Sequence, residues 1–193
     1  WAERRRRVLA IVPSNLRKQW HQELTEKFFL PCRILETKSY NQEIKQGNFH
    51  PFHADELVIC SYQFARSKAA DINTTPWDLV VIDEAHRLRN VYYKPANVIA
   101  NTLKQALKEF PKLLLTATPL QNSLLELFGL VSCIDEHTFG DFKSFREQFA
   151  YLNNQAVFNT LKARLQPICH RTLRRQVLPY VRLVAKALKA KVE

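Results

Sequence analysis

Glycine is scarce in this chain: Gly47, Gly129 and Gly140 are the only three in 193 residues. A phosphate loop of the form GxxxxGK[ST] and a GxGxxG dinucleotide fingerprint both need clustered glycines, so neither is encoded here. Methionine is absent altogether, and we therefore expect the chain to be an excerpt of a longer protein. The cysteines, Cys32, Cys60, Cys133 and Cys169, stand far apart with no CxxC pair. That spacing excludes zinc ribbons and dithiol redox motifs and predicts reduced, mostly buried thiols. His50 and His53 form an HxxH, but Gly47 and Pro51 place it in a loop and no third ligand follows, so no metal site is expected there. No apolar run approaches the roughly 20 residues of a membrane helix. Arg4 to Arg7 followed by Val8 to Val12 imitates the start of a signal peptide, yet the run stops at Pro13, too early for a leader. No membrane partner is expected, and an intracellular setting is, in cytoplasm or nucleoid, or in the nucleus of a eukaryote.

What is present is a globular composition, 46% hydrophobic and 24% charged, sufficient for one α/β domain or one domain with a small appendage. The balance of 29 Lys and Arg against 18 Asp and Glu leaves a net charge of +11, which favours a polyanionic partner such as nucleic acid. Four apolar runs read as strands buried on both faces: Val8 to Val12, Leu57 to Cys60, Leu79 to Ile82 and Leu113 to Leu115, with Arg33 to Leu35 as a weaker fifth. Between them Leu16, Trp20, Leu24 and Phe28 recur with helical spacing after a Ser14 cap, as do Ile99, Leu103 and Leu107. Strands alternating with helices predict an open parallel sheet covered by helices on both faces. Beyond about residue 120 the strand signal stops. Leu124 to Ile134, the stripe Phe142, Phe145 and Phe149, and the stripe Phe158, Leu161 and Leu165 read as successive helices.

Chemistry concentrates where Leu79 to Ile82 runs into Asp83, Glu84, Ala85 and His86. Ligands of open parallel sheets bind at the carboxyl ends of strands. Asp83 there is suited to Mg²⁺ beside nucleotide phosphates, and Glu84 to orienting and deprotonating a water. The competing reading is that the two acids only cap the next helix, at its positive dipole end. A second strand-end motif, Thr116-Ala117-Thr118-Pro119-Leu120-Gln121-Asn122, follows the run Leu113 to Leu115.

Together these stretches resemble the first motor lobe of a superfamily 2 helicase-like ATPase of the Swi/Snf type. Asp83 to Asn90, reading DEAHRLRN, resembles that family's motif II, and the stretch from Leu113 to Ile134 its motif III. Ile11 to Leu16 with Gln19 and Trp20 resembles motif Ia, and Val58 to Tyr62 motif Ib. Leu165 to Ile168 with Arg171, Leu173, Arg174 and Arg175 is similar to the element that follows the first lobe. The resemblance implies a partial RecA-like (P-loop NTPase-type) α/β sheet over residues 1–135, a helical protrusion over 136–166 and a basic connector over 167–193.

It also implies ATP and Mg²⁺ as cofactors. Asp83 would hold the metal, Asp83, Thr116 and Thr118 would serve the nucleotide, Glu84 would activate water, and His86 would join the catalytic machinery. Ser14, Asn15, Lys18, Ser61, Tyr62, Arg87 and Arg89 would face double-stranded DNA. Ser14 as a mere cap and Lys18 as a solvated charge are the plainer alternatives, and Trp20 reads as core rather than a base-stacking platform. The implied activity is ATP-driven translocation along duplex DNA, with a DNA-bound protein as a candidate object of remodelling. A strand-separating helicase or restriction-type motor, and a nucleic-acid-binding module without ATPase activity, are the rivals. The family's phosphate loop and second motor lobe are expected elsewhere in the parent chain, so this stretch alone is expected to be inactive.

Overall fold

The structure, a computed structural model, describes residues 6–89, 91–92, 97–118, 124–149 and 155–170. Five parallel strands form one sheet: β1 (Val8–Val12), β2 (Cys32–Ile34), β3 (Leu57–Ser61), β4 (Leu79–Asp83) and β5 (Lys112–Leu115), in the spatial order β2-β3-β1-β4-β5. All five segments match the apolar runs read from the sequence, with ends shifted by a residue or two. β1 and β3 are buried along their whole length, as inner strands covered on both faces should be.

The helices are α1 (Arg17–Glu26), α2 (Thr37–Lys45), α3 (Tyr62–Ser67), α4 (Ala69–Thr74), α5 (Val98–Ala106), α6 (Leu124–Ile134), α7 (Phe142–Phe149) and α8 (Gln155–Leu165). A 3-10 turn, Ala85–Leu88, follows β4. One sheet face carries Leu9, Ile11, Val58, Cys60, Val80 and Ile82, packed against Phe64 and Ala65 of α3, Ile72 of α4, Leu103 of α5 and Leu130 of α6. The opposite face carries Val8, Ala10, Val12, Leu57 and Ile59, covered by Trp20 and Leu24 of α1. Helices thus lie on both faces, but α1 does not extend across β4 and β5. Leu79 and Val81 on that face are only partly buried, and Leu113 of the edge strand β5 is 48% exposed.

Two local expectations are corrected. Ser14 does not cap α1, because a turn closed by Leu16 N–H on the Pro13 carbonyl (2.9 Å) makes Leu16 the N-cap residue, and no side chain caps this end. Phe28 lies beyond the helix and is 64% exposed, so the partly buried apolar stripe of α1 ends at Leu24. The short helices α3 and α4 carry too few turns to show a periodic pattern, and α2 shows Tyr40 as its only buried residue. Two aromatic clusters fasten the connections. Tyr40, Phe52, Phe64 and Trp77 meet with ring centroids about 6 Å apart. Phe128 of α6 meets Phe145 of α7 at 4.9 Å, and Phe145 meets Phe139 and Phe149.

The chain separates into two compact units, residues 1–150 and 151–193. The phenylalanine stripe of α7 therefore belongs with the sheet rather than with the segment that follows. In the second unit α8 buries Leu161, exposes Phe158, and ends where Ile168 and Cys169 N–H groups close onto the Leu165 carbonyl. Arg171, Leu173, Arg174 and Arg175 lie outside the described residues.

Candidate functional site

Because every strand is parallel, all carboxyl ends emerge on one edge of the sheet. Register fixes the neighbours there: Val12 lies beside Ser61, Ile11 beside Ile82, and Asp83 beside Leu115, the residue before Thr116. The four motifs read from the sequence therefore meet at one edge.

Asp83 is held from three directions. Its Oδ2 accepts a 2.8 Å hydrogen bond from the Trp20 indole N–H, its Oδ1 accepts one of 2.9 Å from the Glu84 N–H, and its main-chain carbonyl accepts one of 2.6 Å from the Tyr62 hydroxyl. Each carboxylate oxygen offers two lone pairs, so both oxygens keep acceptor capacity for a further ligand. Glu84 adopts a left-handed conformation, φ 52° and ψ 44°, which costs a non-glycine residue roughly 1–2 kcal/mol. Its side chain makes no cap hydrogen bond to the following turn. The Glu84 carboxylate instead stands 3.1 Å from His86 Nδ1.

The other sequence candidates divide into exposed and internal groups. Ser14, Asn15, Lys18 and Arg87 are exposed, and the Arg87 guanidinium lies 5.8 Å from the centre of the Tyr62 ring. Thr118 is exposed as well, and its N–H donates to Thr116 Oγ1 at 3.2 Å. Ser61 and Tyr62 are buried: the Ser61 hydroxyl accepts from Phe64 N–H as the N-cap of α3, and burial pushes the Tyr62 phenol well above its ordinary range. Both were expected to contact a duplex, and in this structure both hydroxyls are engaged in internal hydrogen bonds. Arg89 is largely covered: its Nε lies 3.6 Å from the Glu126 carboxylate of α6, with side-chain exposures of 16% and 4%, so it ties the turn to α6. Gly129 makes this close packing feasible, because a Cβ there would run into the Arg89 carbonyl oxygen.

Sequence reasoning missed Asn97, whose side-chain amide donates to the Arg87 carbonyl (2.9 Å) while its oxygen caps α5 through Ala100 N–H (3.1 Å). An Asn before an apolar helical repeat is an N-cap signal. It missed the αL backbone of Glu84, for which the sequence carries no signal. It also missed the polar use of Trp20. Tyr62, Gln63, His86, Arg87, Arg89, Asn97 and Ile99 line an open cleft of about 320 Å³ beside the acidic pair. Pro119 to Asn122 and Asn90 fall outside the described residues. Among the described residues no group of three or more His, Cys, Asp or Glu is assembled to hold a metal, and no helix is long and apolar enough to cross a membrane.

Residues 2–193 match the SNF2-related domain family from end to end. The chain belongs to this family. A Bacillus subtilis relative, the uncharacterized ATP-dependent helicase YqhH, is 37% identical over 147 residues, which cover 75% of this SNF2-related domain and 24% of the relative. The chain thus spans about a quarter of that protein's length. Among solved structures, the SWI2/SNF2 ATPase core of Sulfolobus solfataricus in complex with dsDNA superimposes with a TM-score of 0.67 at 20% identity, covering 89% of this chain and 34% of that one. A second structure, the SWI2/SNF2 ATPase core domain of the same organism, superimposes with a TM-score of 0.63 at 21% identity, covering 90% of this chain and 34% of that one. The fold of this SNF2-related domain is therefore that of the RecA-like lobe of a SWI2/SNF2 ATPase core, as the sequence motifs implied.

Proposed function

We propose that this domain is part of an ATP-driven motor that moves along double-stranded DNA, with its hydrolytic residues on the carboxyl edge of the sheet. The observation that carries the reading is the fixed Asp83 carboxylate with Glu84 and His86 beside it, on the same edge as the exposed cations Lys18 and Arg87.

Asp83 fits Mg²⁺. This ion is usually bound through one or two carboxylates, with waters and phosphate oxygens completing its shell, and Asp83 offers one half-buried carboxylate with unused lone pairs. When bound, the ion would offset charge on the β and γ phosphates of ATP. Glu84 then orients the attacking water and accepts its proton, and His86, whose Nδ1 lies 3.1 Å from the Glu84 carboxylate, couples the nucleotide site to the DNA side. Thr116 and Thr118, one strand away, serve the nucleotide and link it to the DNA side. Ser14, Asn15, Lys18 and Arg87 supply hydroxyl, amide and cationic groups for phosphate oxygens, contacts that position a duplex without reading its sequence. The likeness to the Sulfolobus core in complex with dsDNA supports duplex DNA as the partner.

With its three scattered glycines the 193-residue chain carries no glycine-rich phosphate cradle, so by itself it would hold ATP weakly and not turn it over. The parent protein supplies the test. Duplex DNA should stimulate its ATP hydrolysis, and ATP should drive displacement of a third strand from a triplex. Strand separation without triplex displacement would favour a true helicase, and DNA binding with no ATP turnover would favour a binding module.

A further inference from the structure

We infer that Trp20 is a positioning residue for the metal ligand: its indole N–H fixes the Asp83 carboxylate in the orientation that receives Mg²⁺. The inference rests on the reading of Asp83 as that ligand and adds a residue from a distant element to it.

The sheet's alternation explains how the two meet. Leu79, Val81 and Asp83 are successive positions on one face of β4, the face on which Leu79 and Val81 border the apolar cluster that Trp20 and Leu24 of α1 cover. Trp20 lies on α1, packed against the apolar cluster that includes Val12 and Ile59, as Val81 of β4 is. The strand turns polar at its next position on that face, and there the N–H edge of the indole reaches Asp83 Oδ2 at 2.8 Å, across 63 positions of sequence. A partly buried indole needs an acceptor, but a main-chain carbonyl is enough. Trp77 shows this in the same domain, donating to the Ile72 carbonyl at 3.0 Å. Trp20 instead commits its single donor to an ionised group, a stronger class of hydrogen bond. The Glu84 N–H holds the other carboxylate oxygen at 2.9 Å. With one donor on each oxygen the carboxylate cannot rotate, and its remaining lone pairs keep one direction. Donors of this kind to metal-binding carboxylates are typically worth about 10- to 100-fold in metal affinity or activity.

The test uses the full-length protein with ADP and Mn²⁺ as a paramagnetic stand-in for Mg²⁺. Free Mn²⁺ is read by electron paramagnetic resonance for wild type, Trp20→Phe, Asp83→Asn and the double variant. The expected result is about a 10-fold or larger rise in the Mn²⁺ dissociation constant for Trp20→Phe, with no further loss when it is added to Asp83→Asn. A role in packing alone would leave Mn²⁺ affinity within twofold or give additive losses in the cycle, and either result overturns the inference. If Asp83→Asn itself leaves Mn²⁺ affinity unchanged, the metal-ligand reading falls and this inference with it. If Asp83→Asn weakens binding and Trp20→Phe does not, only the inference falls. Should Trp20→Phe fold poorly, benzothienylalanine at position 20 keeps the ring shape and replaces the N–H by sulfur, and the same outcomes apply. As an independent signature, the 19F resonance of 5-fluorotryptophan at position 20 should shift on adding Mg²⁺ and ADP to wild type and stay still in Asp83→Asn. An unchanged resonance in wild type contradicts the inference.

Discussion

The Tyr62 hydroxyl donates a 2.6 Å hydrogen bond to the main-chain carbonyl of Asp83, tying the first residue of α3 to the last residue of β4. Tyr62 is 2% exposed, so the bond is made where water does not replace it. Tyr62→Phe keeps the ring and leaves the carbonyl short of a partner, which should cost about 1 to 2 kcal/mol of stability. Urea denaturation checks this; a change below a few tenths would show that the bond contributes nothing net.

Arg87 and Arg89 stand two residues apart and should behave in opposite ways. Arg87→Ala removes an exposed cation, so stability should hold while duplex binding weakens and its log-log salt slope shrinks by about 0.9 for each phosphate that Arg87 neutralises. Arg89→Ala leaves the Glu126 carboxylate, 4% exposed, without the guanidinium 3.6 Å away. Removing a guanidinium that is 16% exposed beside this carboxylate should therefore lower stability measurably, where Arg87→Ala leaves it unchanged. Gly129→Ala should destabilise by about 1 to 3 kcal/mol, since the added methyl meets the Arg89 carbonyl. Thermal melts and DNA titrations of the three variants separate the effects. Equal stability of Arg87→Ala and Arg89→Ala would contradict the assignment.

How much of this was legible in the sequence depends on the range of the interaction. The strands were readable because a strand buried on both faces must be apolar throughout, as Val8–Val12 is. The acidic pair was readable because it interrupts such a run at its end. Arg89 was not, because the family-like spacing of Arg87 and Arg89 says nothing about Glu126, a buried acid in a helix read as simply apolar. The Trp20 contact was hidden for a similar reason: helical periodicity shows where the ring packs but not what its N–H meets 63 positions away.

The thiols give a pH-dependent prediction. Burial pushes Cys60 from 9.0 up to about 12 and Cys133 from 9.0 up to about 11. Both are raised in the folded state, so their contribution to stability is complete below pH 9 and declines as pH rises towards 11 and 12. Iodoacetamide at pH 8 should therefore label the exposed Cys169 first and reach Cys60 and Cys133 only on unfolding. Mass spectrometry after timed labelling reads the order, and early labelling of Cys60 would contradict the packing of β3.

Leu113 projects from the edge strand β5 with 48% exposure, and an apolar sheet edge invites pairing between chains. Leu113→Lys should raise the concentration at which the 193-residue chain stays monomeric without lowering its melting temperature. Light scattering across a dilution series checks this. Unchanged association would remove β5 as its source.

In the proposed motor the carboxyl edge of this sheet hydrolyses ATP through Glu84. Glu84→Gln in the full-length protein keeps the side chain's shape and removes its ability to accept a proton. Steady-state ATP turnover with saturating duplex DNA should fall by about 10² to 10⁴, with nucleotide and DNA dissociation constants close to wild type. Turnover within twofold of wild type would contradict the account.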